Sequence, residues 1–380
     1  MTIVHICLSS SYTYGMGYQD NLLVKYNLLA GHKVIVISNN AKYENGKLTE
    51  TEEEDTILED GSRLIRLKYD RIINSYLSSK IRKTKRLKKL LGTLSPGIIM
   101  FHGTASWELL TMAKYKQKNK NTKLYIDSHT DLNNSAKNWV SYFFLHKLFY
   151  RYLTRKALPY CEKLFYISEE TGIFLKKAYG VPEPFLEFLP LGGEIMDKES
   201  KTIVRKEMRD KLNLTEQDIL FCHSGKMDVK KKTYELIKIF TKTKQHNFKL
   251  LLIGTFTKDI EKQVAPLIKI DDRIIYLGWK TSGELKKYIA ATDLYLQPGS
   301  QSATMQNALC VGTPVLIDNV PSHQIYNKGN AFLIDDCHEI NNIFRRIADA
   351  PELLDHMSGI AYELAMEILD YKKLAQKITN

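Results

Sequence analysis

Two lysines separated by five positions are the side chains whose type and spacing most directly suggest chemistry. Lys226 and Lys231 follow Ser224 and Gly225, where a short apolar run gives way to a helical pattern. Two cations at a strand-to-helix turn suit a diphosphate, whose negative charge grows when it departs as a leaving group. The plain alternative is a cluster of solvated lysines on a loop.

A histidine in the first half of the chain offers a second kind of chemistry. His129 follows the apolar run 124–127 and precedes Asp131, so we expect it at the carboxyl end of a parallel strand, where ligands bind in such sheets. There an imidazole can hydrogen-bond a hydroxyl group while the neighbouring carboxylate orients it. His102, which ends an earlier apolar run, is a weaker candidate. A lone histidine is more often a core or surface residue.

A glycine-containing loop lies near the N-terminus. Gly15 and Gly17 precede a predicted helix, and glycine lets backbone N–H groups approach an anion at a helix N-terminus. An ordinary tight turn is the alternative. The dinucleotide-binding pattern G-x-G-x-x-G is absent because Asp20 stands where its last glycine would be, which counts against an NAD-dependent enzyme.

The elements that must position these groups form a regular alternation. Short apolar runs alternate with helical patterns, which favours parallel, doubly wound sheets. The predicted strands of the first half are residues 3–8, 33–38, 97–102, 123–127 and 163–168. Those of the second half are residues 219–223, 248–253, 273–276, 294–297, 314–317 and 331–334. We therefore expect two α/β domains joined near residues 186–200, with the ligand cleft between them.

Length and composition fit two such domains. The chain has 380 residues, 44% of them hydrophobic and 26% charged, as in soluble globular proteins. No apolar run reaches the ~18 residues that span a bilayer, and the first residues lack the basic segment of a signal peptide. The five cysteines are scattered, which disfavours disulfides and a zinc site. We expect a cytoplasmic protein.

The segment 277–316 carries the most specific pattern in the sequence. In order and spacing it resembles the C-terminal domain of retaining group 1 glycosyltransferases. The matching features are Gly278-Trp279, a helical stretch ending in Asp293, Pro298-Gly299, and Gly312-Thr313-Pro314-Val315.

A second segment resembles the same family. Ser224–Lys232 is similar to its G-R-x-x-x-x-K-G element, with Lys226 in the place of the arginine and Lys231 in the place of the lysine. The resemblance covers essentially the whole chain and implies a GT-B fold, with two Rossmann-like domains facing across a cleft. It implies an acceptor-binding domain at residues 1–190, a nucleotide-sugar-binding domain at 191–355, and a helix at 356–380 that returns to the first domain.

The resemblance also implies roles for single residues. His129, Asp131, Lys226 and Lys231 would be catalytic, with His129 beside the donor sugar and the two lysines at the departing diphosphate. No D-x-D motif is placed to hold a metal, so we expect no metal and no separate cofactor; the nucleotide-sugar, by preference a UDP-sugar, is a substrate. The donor-binding residues would be Gly15, Gly17, Ser224, Gly225, Gly254, Gly278, Ser302, Ala303, Thr304, Gln306 and Asn307.

Two glutamates that are typical of the family are replaced. Aligned on residues 312–315, their positions hold Gly299 and Asn307, and the P-G-x-x-S stretch at 298–302 resembles a subset of capsule-type transferases instead. The amides of Gln306 or Asn307 would then serve the ribose hydroxyls, and N–H groups at the helix start would serve the phosphates. The loss leaves open a catalytically degenerate subunit that positions a partner enzyme. A nucleotide-sugar epimerase on the same fold is a third alternative.

The formal net charge of +12 implies an anionic partner. Residues 80–89 hold seven cations, and residues 139–156 combine four cations with seven aromatic side chains. Such segments can lie on an anionic membrane, which we prefer for the first; a solvated face over ordinary core aromatics is an equal alternative for the second. Nucleic acid would attract the same charges, but no motif that reads it is present.

The expected partners are therefore a nucleotide-sugar donor, a lipid-linked or glycan acceptor and the inner face of the plasma membrane, without nucleic acid. The setting that the resemblance implies is capsule, O-antigen or exopolysaccharide synthesis.

Overall fold

The computed structural model describes residues 1–44, 47–132, 135, 139, 141–299 and 302–379. The chain divides into two compact units. The N-terminal unit comprises Met1–Pro190 together with Tyr371–Asn380, and the C-terminal unit comprises Leu191–Asp370. Within the described residues, no helix combines the length and the apolar character that crossing a bilayer requires.

The N-terminal unit is built on one large sheet. Its strands are β1 (Thr2–Cys7), β2 (Lys33–Asn39), β3 (Ala41–Glu44), β4 (Lys47–Glu50), β5 (Asp55–Ile57), β6 (Arg63–Leu67), β7 (Ile98–His102), β8 (Lys123–Ser128), β9 (Lys163–Tyr166) and β10 (Leu186–Phe188). Its helices are α1 (Gln19–Leu29), α2 (Ser75–Ile81), α3 (Arg86–Leu94), α4 (Glu108–Lys118), α5 (Arg151–Ala157) and α6 (Glu169–Phe174). A wide helix with i→i+5 bonding, Ser141–Tyr150, leads directly into α5.

The strand order of this sheet is β10-β9-β8-β7-β1-β2-β6-β5, and β3 pairs with β4 in a separate hairpin. The large sheet is parallel except at its β5 edge. Successive residues of β1 are buried on opposite faces: Val4 and Ile6 join the main core, whereas Ile3 packs in a second cluster on the other side. Burial on both faces explains the continuous apolar runs that predicted these strands.

The C-terminal unit repeats the plan with a second parallel sheet, which has six strands among the described residues. They are β11 (Ile219–Met227), β12 (Phe248–Phe256), β13 (Ile274–Tyr276), β14 (Leu294–Gln297), β15 (Val315–Asp318) and β16 (Ala331–Ile334). Its helices are α7 (Lys198–Lys211), α8 (Thr233–Phe240), α9 (Lys258–Ile270), α10 (Ser282–Ala290), α11 (Ala303–Cys310), α12 (Pro321–Gln324), α13 (Ile340–Asp349) and α14 (Leu353–Ile368). The order β13-β12-β11-β14-β15-β16, all parallel, is that of a Rossmann sheet. The predicted pair of doubly wound parallel sheets is confirmed.

The tail of the chain divides between the units. The sequence placed the end of the second domain at residue 355, but α14 continues to Ile368 and packs Leu354 and Met357 into the core of the C-terminal unit. Only the last segment, which starts at α15 (Tyr371–Leu374), belongs to the N-terminal unit. There the hydroxyl of Tyr371 donates to the carbonyl of Gln19, 3.1 Å away.

The basic run of residues 80–89 is not one helix. Arg82 ends α2 in the left-handed conformation, with φ of 54°, and α3 begins at Arg86. The guanidinium of Arg82 donates to the carbonyl oxygens of Ser9 and Ala105, at 2.7 and 3.1 Å. The Arg82 guanidinium therefore binds backbone carbonyls within the N-terminal unit, whereas Lys85, Lys88 and Lys89 are exposed to solvent.

Candidate functional site

The predicted lysines lie at the topological switch point of the C-terminal sheet. The strand β11 has β12 on one side and β14 on the other, so the loops that follow β11 and β14 diverge there and leave room for a ligand at the carboxyl edge. Gly225 and Lys226 are among the last residues of β11, and Gly299 follows β14 closely. The strand–loop–helix order of the sequence thus brings the cations to the edge where such sheets bind ligands.

Two glycines let the loops at this edge touch through their backbones. Gly254, at φ of 133°, has no room for a side chain, because a Cβ atom there would overlap the carbonyl oxygen of Gly225. A Cβ atom on Gly299 would likewise overlap the carbonyl oxygen of Lys230. We call residues 226–231, which contain both predicted lysines, the lysine turn. Position 299, where the family resemblance places the first glutamate, lies directly against the backbone of this turn. A glutamate side chain therefore does not fit at position 299.

Lys231 is held beneath this turn. Only 9% of the residue is exposed, and its ammonium donates to the carbonyl oxygen of Ser224 at 3.2 Å. Asp228 caps the turn by accepting from the backbone N–H of Lys231 at 3.0 Å. Burial lowers the pKa of Lys231 from its ordinary value, and the negative charge of Asp228 offsets part of that effect. An anion bound at the turn would restore the stability of the charged form.

The neighbouring lysines differ in what they contact. Lys226 is exposed, and its ammonium forms no ion pair with any of the residues that the structure describes. Lys232, by contrast, is 3.0 Å from Oδ1 of Asp318 and is neutralised by it. Of these two lysines at the carboxyl edge, only Lys226 has no ion-pair partner among the described residues.

The start of α11 faces the same edge from the other side of the switch point. Ser302 stands at the N-cap position but does not cap, because its hydroxyl donates to Oε1 of Gln297 at 2.5 Å. No acidic residue lies in the first turn of α11, and no side chain among the described residues accepts from the N–H groups of Ala303 and Thr304. Residues 300 and 301, within the predicted P-G-x-x-S loop, lie outside the described residues.

Tyr295 supports both parts of this site. Its hydroxyl lies 2.9 Å from the hydroxyl of Ser224, which places Ser224 against β14 and turns its carbonyl to Lys231. Gly278, the remaining predicted glycine, has its carbonyl bonded to the N–H of Gly254 at 2.8 Å and so joins the ends of β13 and β12.

The two predicted ribose-binding amides have different surroundings. Gln306 is fully buried, accepts from the N–H of Gly192 at 2.7 Å and donates to the hydroxyl of Tyr326 at 3.0 Å. Both ends of its amide are thus occupied by the protein. Asn307 is half-buried, and its side-chain amide forms no hydrogen bond with the described residues. Asn307 is therefore the better placed of the two for a ligand.

The N-terminal unit has a buried polar chain at its own switch point. His102 at the end of β7 lies 2.7 Å from Oδ2 of Asp127 in β8, and Oδ1 of Asp127 accepts from the N–H of Gly103 at 2.8 Å. Nε2 of His129 is 3.9 Å from the same carboxylate, and the His129 side chain is 46% exposed. The exposed histidine that the sequence singled out therefore stands over a buried carboxylate.

The series of hydrogen-bonded side chains continues from His102 into the interior of the unit. Nε2 of His102 lies 3.1 Å from Nδ1 of His5 in β1, and Nε2 of His5 lies 3.0 Å from Nδ2 of Asn27 in α1. With the amide of Asn27 as donor, His5 protonated at Nδ1 donates to His102, and His102 protonated at Nδ1 donates to Asp127. Each ring nitrogen then has one partner of the right kind. This arrangement fixes the geometry of Asp127 from behind.

The electrostatics of this chain follow from burial and from the carboxylate. Burial opposes charge on His102, but Asp127 outweighs it and raises the pKa of His102 above its ordinary value. Burial alone would raise the pKa of Asp127, yet His102 lowers it overall. Burial lowers the pKa of His5, with His102 adding to the effect. Asp127 is therefore ionised and His5 neutral near neutral pH.

The remaining predicted residues of the N-terminal unit lie on loops at this edge. Gly15 and Gly17 belong to the segment between β1 and α1, and Asp131 follows β8 two residues after His129. Asp20, in the first turn of α1, is half-buried, and its partial burial raises its pKa. The loops after β1 and β7 meet closely, since a Cβ atom on Gly103 would lie 2.6 Å from Cβ of Ser9.

The structure thus gathers Ser224, Gly225, Lys226, Lys231, Gly254 and Ser302–Thr304 at one edge of the C-terminal sheet. It places His129 and Asp131 at the corresponding edge of the N-terminal sheet. Sequence reasoning missed His5, Asn27 and Asp127. The one signal that could have found them was His5, a histidine inside the otherwise apolar strand β1.

This fold has counterparts among known proteins. Residues 204–363 match the family model described as Glycosyl transferases group 1. No curated protein sequence matches the chain.

Solved structures are similar over nearly the whole chain. Sucrose-phosphate synthase from Thermosynechococcus elongatus is 14% identical with a TM-score of 0.71, covering 100% of this chain and 97% of its own. HepE of Anabaena in complex with UDP-glucose is 14% identical with a TM-score of 0.70, covering 100% and 98%. WaaG, a glycosyltransferase involved in lipopolysaccharide biosynthesis, is 16% identical with a TM-score of 0.66, covering 99% and 100%. The fold of this chain is that of the GT-B glycosyltransferases.

Proposed function

We propose that this protein transfers a sugar from a nucleoside-diphosphate-sugar to an acceptor hydroxyl. The observation that carries the proposal is the turn at the end of β11, where the backbone-packed glycines hold Lys231 under Gly225 while Lys226 stays unpaired among the described residues. The match of residues 204–363 to the group 1 glycosyltransferases supports it.

In this reaction the lysine turn would stabilise the leaving group, which is the diphosphate of the donor. When the bond between the anomeric carbon and the diphosphate oxygen breaks, its electron pair stays on the diphosphate. Lys226, Lys231 and the N–H groups of Ala303 and Thr304 would meet that charge. The acceptor oxygen would bond the anomeric carbon, and its proton would pass to an oxygen of the departing diphosphate. Removing one such donor typically costs about 2.7–4 kcal/mol in the transition state. On this proposal the cations do the work of a metal, and the reaction retains the anomeric configuration.

We propose UDP as the nucleotide. The support is that HepE, similar over the whole chain, has been solved in complex with UDP-glucose. In this chain the ribose would meet Asn307, whose amide is not bonded to the described residues. Gly15 and Gly17 would contribute backbone N–H groups to the donor.

The acceptor is proposed to be a lipid-linked or other glycan in surface-polysaccharide synthesis on the cytoplasmic side of the membrane. The role of WaaG in lipopolysaccharide biosynthesis is the support for that setting. In the N-terminal unit, His129 would hydrogen-bond a sugar hydroxyl, with Asp127 behind its ring and Asp131 beside it.

One observation favours a second function. Because Gly299 cannot carry a side chain and Asn307 is not acidic, neither expected glutamate has a substitute carboxylate at its position. A catalytically degenerate GT-B subunit that positions a partner enzyme would have these features. It would bind the nucleotide weakly or not at all and would release no UDP.

The test is a turnover assay on purified protein. A thermal-shift screen of nucleotide-sugars first identifies the donor that stabilises the fold. UDP release from that donor is then followed with glycan and lipid-linked acceptors. We expect Lys231→Ala to lower kcat by about a hundredfold or more, while Lys244→Ala, an exposed lysine in the loop before β12 at the opposite edge of the sheet, retains activity. Equal kcat in wild type and Lys231→Ala would refute the proposal.

A further inference from the structure

An exposed apolar ridge runs along one helix of the N-terminal unit. The wide helix Ser141–Tyr150 and α5 turn His146, Tyr150 and Leu153 inward. The opposite face presents large apolar side chains to solvent. These side chains, which we call the aromatic ridge, are Phe143, Phe144, Leu148 and Tyr152, with exposed fractions of 38%, 54%, 52% and 53%.

Trp139 extends the ridge at its N-terminal end. Its ring is 69% exposed and stacks on Phe143, with centroids 5.5 Å apart. Contiguous exposed apolar side chains of this size mark a contact surface on a protein rather than an ordinary solvated face. The alternative that the aromatics of residues 139–156 are core residues is therefore wrong for Trp139 and for the aromatic side chains of the ridge. It is right for aromatics that face inward, such as Tyr150.

The basic segment 71–89 packs against the helix that carries the ridge. The hydroxyl of Tyr150 donates to the carbonyl of Lys80 at 2.9 Å. The ring of Trp107 lies between the two elements, with its centroid 5.2 Å from Nζ of Lys83 and 6.4 Å from the ring of Phe149. Two regions that are far apart in sequence thus form one surface.

The two segments together hold as many cations as the charge excess of the whole protein. Residues 71–89 and 139–156 contain 12 Lys or Arg and no Asp or Glu, which leaves 43 residues of each sign in the rest of the chain. One of the 12, Arg86, pairs with Glu53 from outside the segment, whereas Lys85, Lys88 and Lys89 are exposed. Two more apolar side chains of the basic segment, Ile73 and Tyr76, are 82% and 66% exposed.

We propose that the aromatic ridge and the basic segment form a docking surface for an anionic lipid bilayer. Trp, Tyr and Phe side chains sit at the level of lipid headgroups, and lysines around them reach lipid phosphates while their stems lie on apolar surface. Lys80 over the ring of Tyr76 and Lys156 over the ring of Tyr152, at 5.4 and 5.8 Å from the ring centroids, already have this arrangement. Charge complementarity therefore selects a negatively charged membrane.

The same charges argue against a second copy of the chain as the occupant. In a two-fold symmetric dimer each surface meets its own copy, so the lysines would face lysines with no acidic residue from these segments to answer them. Protein interface cores are also depleted in lysine. A membrane presents no such conflict, and the proposal does not depend on glycosyl transfer.

The experiment is co-sedimentation of the purified protein with vesicles of phosphatidylcholine alone and of phosphatidylcholine mixed with phosphatidylglycerol. We expect binding to the mixed vesicles only, weakening as salt is added. Phe144→Ser combined with Leu148→Ser should reduce binding about tenfold. Lys88→Glu combined with Lys89→Glu should reduce it by more than about tenfold, since each cation near the lipid contributes about fivefold.

The matched control is Trp279→Ser combined with Ile270→Ser. These side chains of the C-terminal unit are 68% and 78% exposed, so the control removes at least as much exposed apolar area as Phe144→Ser with Leu148→Ser does, and vesicle binding should equal wild type. Circular dichroism checks that all variants are folded. Equal binding to both vesicle types, equal loss in the control, or no binding would overturn the proposal. So would a dimer seen by light scattering that Phe144→Ser dissociates, or binding to an oligonucleotide in place of vesicles.

Discussion

Nδ1 of His102 and Oδ2 of Asp127 lie 2.7 Å apart, and both side chains are almost completely inaccessible to water. A buried pair of this kind is sensitive to the protonation of either partner, because a lone buried charge is costly. It also stands directly behind His129, so the stability of the N-terminal unit and the geometry of a candidate site residue depend on the same contact.

The first prediction concerns the pH dependence of stability. The pKa of His102 is raised, so its contribution is present below about 6.5 and is lost as pH rises through the raised value. The pKa of Asp127 is lowered, so its contribution is present above about 3.9 and is lost as pH falls through the lowered value. Asp127→Asn should therefore cost most in mildly acidic solution, about 1.5–3 kcal/mol.

The measurement is thermal melting of wild type and Asp127→Asn across pH. The difference in Tm should be largest at mildly acidic pH and shrink in strong acid and in alkali. Comparison with the variant removes the contributions of His146 and His223, whose pKa values burial lowers to about 4 in both proteins. A difference that is constant with pH would mean that His102 and Asp127 do not titrate as a pair.

The second prediction concerns Gly299. A Cβ atom at this position overlaps the carbonyl oxygen of Lys230, so Gly299→Ala must displace the lysine turn. We expect nucleotide affinity to fall by about tenfold or more, an estimate that rests on the loss of about one charged hydrogen bond. The matched control is Gly283→Ala in α10, where nothing lies within 4 Å of a new Cβ atom. That substitution should stabilise by up to about 1 kcal/mol, and a similar response from both variants would contradict the role of Gly299.

The third prediction separates the two amides of α11. Gln306→Ala leaves the N–H of Gly192 and the hydroxyl of Tyr326 without their partner in a fully buried site and should cost about 1–3 kcal/mol of stability. Asn307→Ala should change stability by no more than about 0.5 kcal/mol but weaken nucleotide binding. Urea unfolding and calorimetry on both variants measure the two effects. A stable Gln306→Ala protein that fails to bind nucleotide would assign the ribose contact to Gln306 instead.

The sequence predicted the two sheets because their strands are buried on both faces and read as apolar runs. It did not predict β3, β4, β5, β6 and β10. The first three are short and mostly exposed and carry charged residues, as in Lys47–Glu50. The buried strand β6 includes two arginines among its five residues, and β10 has only three residues. The order of charged and apolar residues was sufficient for the lysine turn, because Lys226 and Lys231 are local to one strand–loop–helix element.

Contacts between segments that are far apart in the sequence could not be predicted from it. His5, His102 and Asp127 are separated by 97 and 25 positions and meet only because β1, β7 and β8 are neighbours in the sheet. The absence of a glutamate at position 299 was visible, but its cause, a backbone contact with Lys230, was not. The aromatic ridge needed the helix Ser141–Tyr150 to show which aromatics face outward.

In the proposed reaction, Lys226 and Lys231 bind the diphosphate of the nucleotide. Isothermal titration calorimetry of UDP tests it directly, on wild type, Lys226→Ala, Lys231→Ala and the control Lys244→Ala. We expect wild type and Lys244→Ala to bind UDP alike and each site variant to lose about tenfold or more in affinity, because one charged hydrogen bond is removed. Unchanged affinity in the Lys226→Ala/Lys231→Ala double variant, with the protein folded, would contradict it.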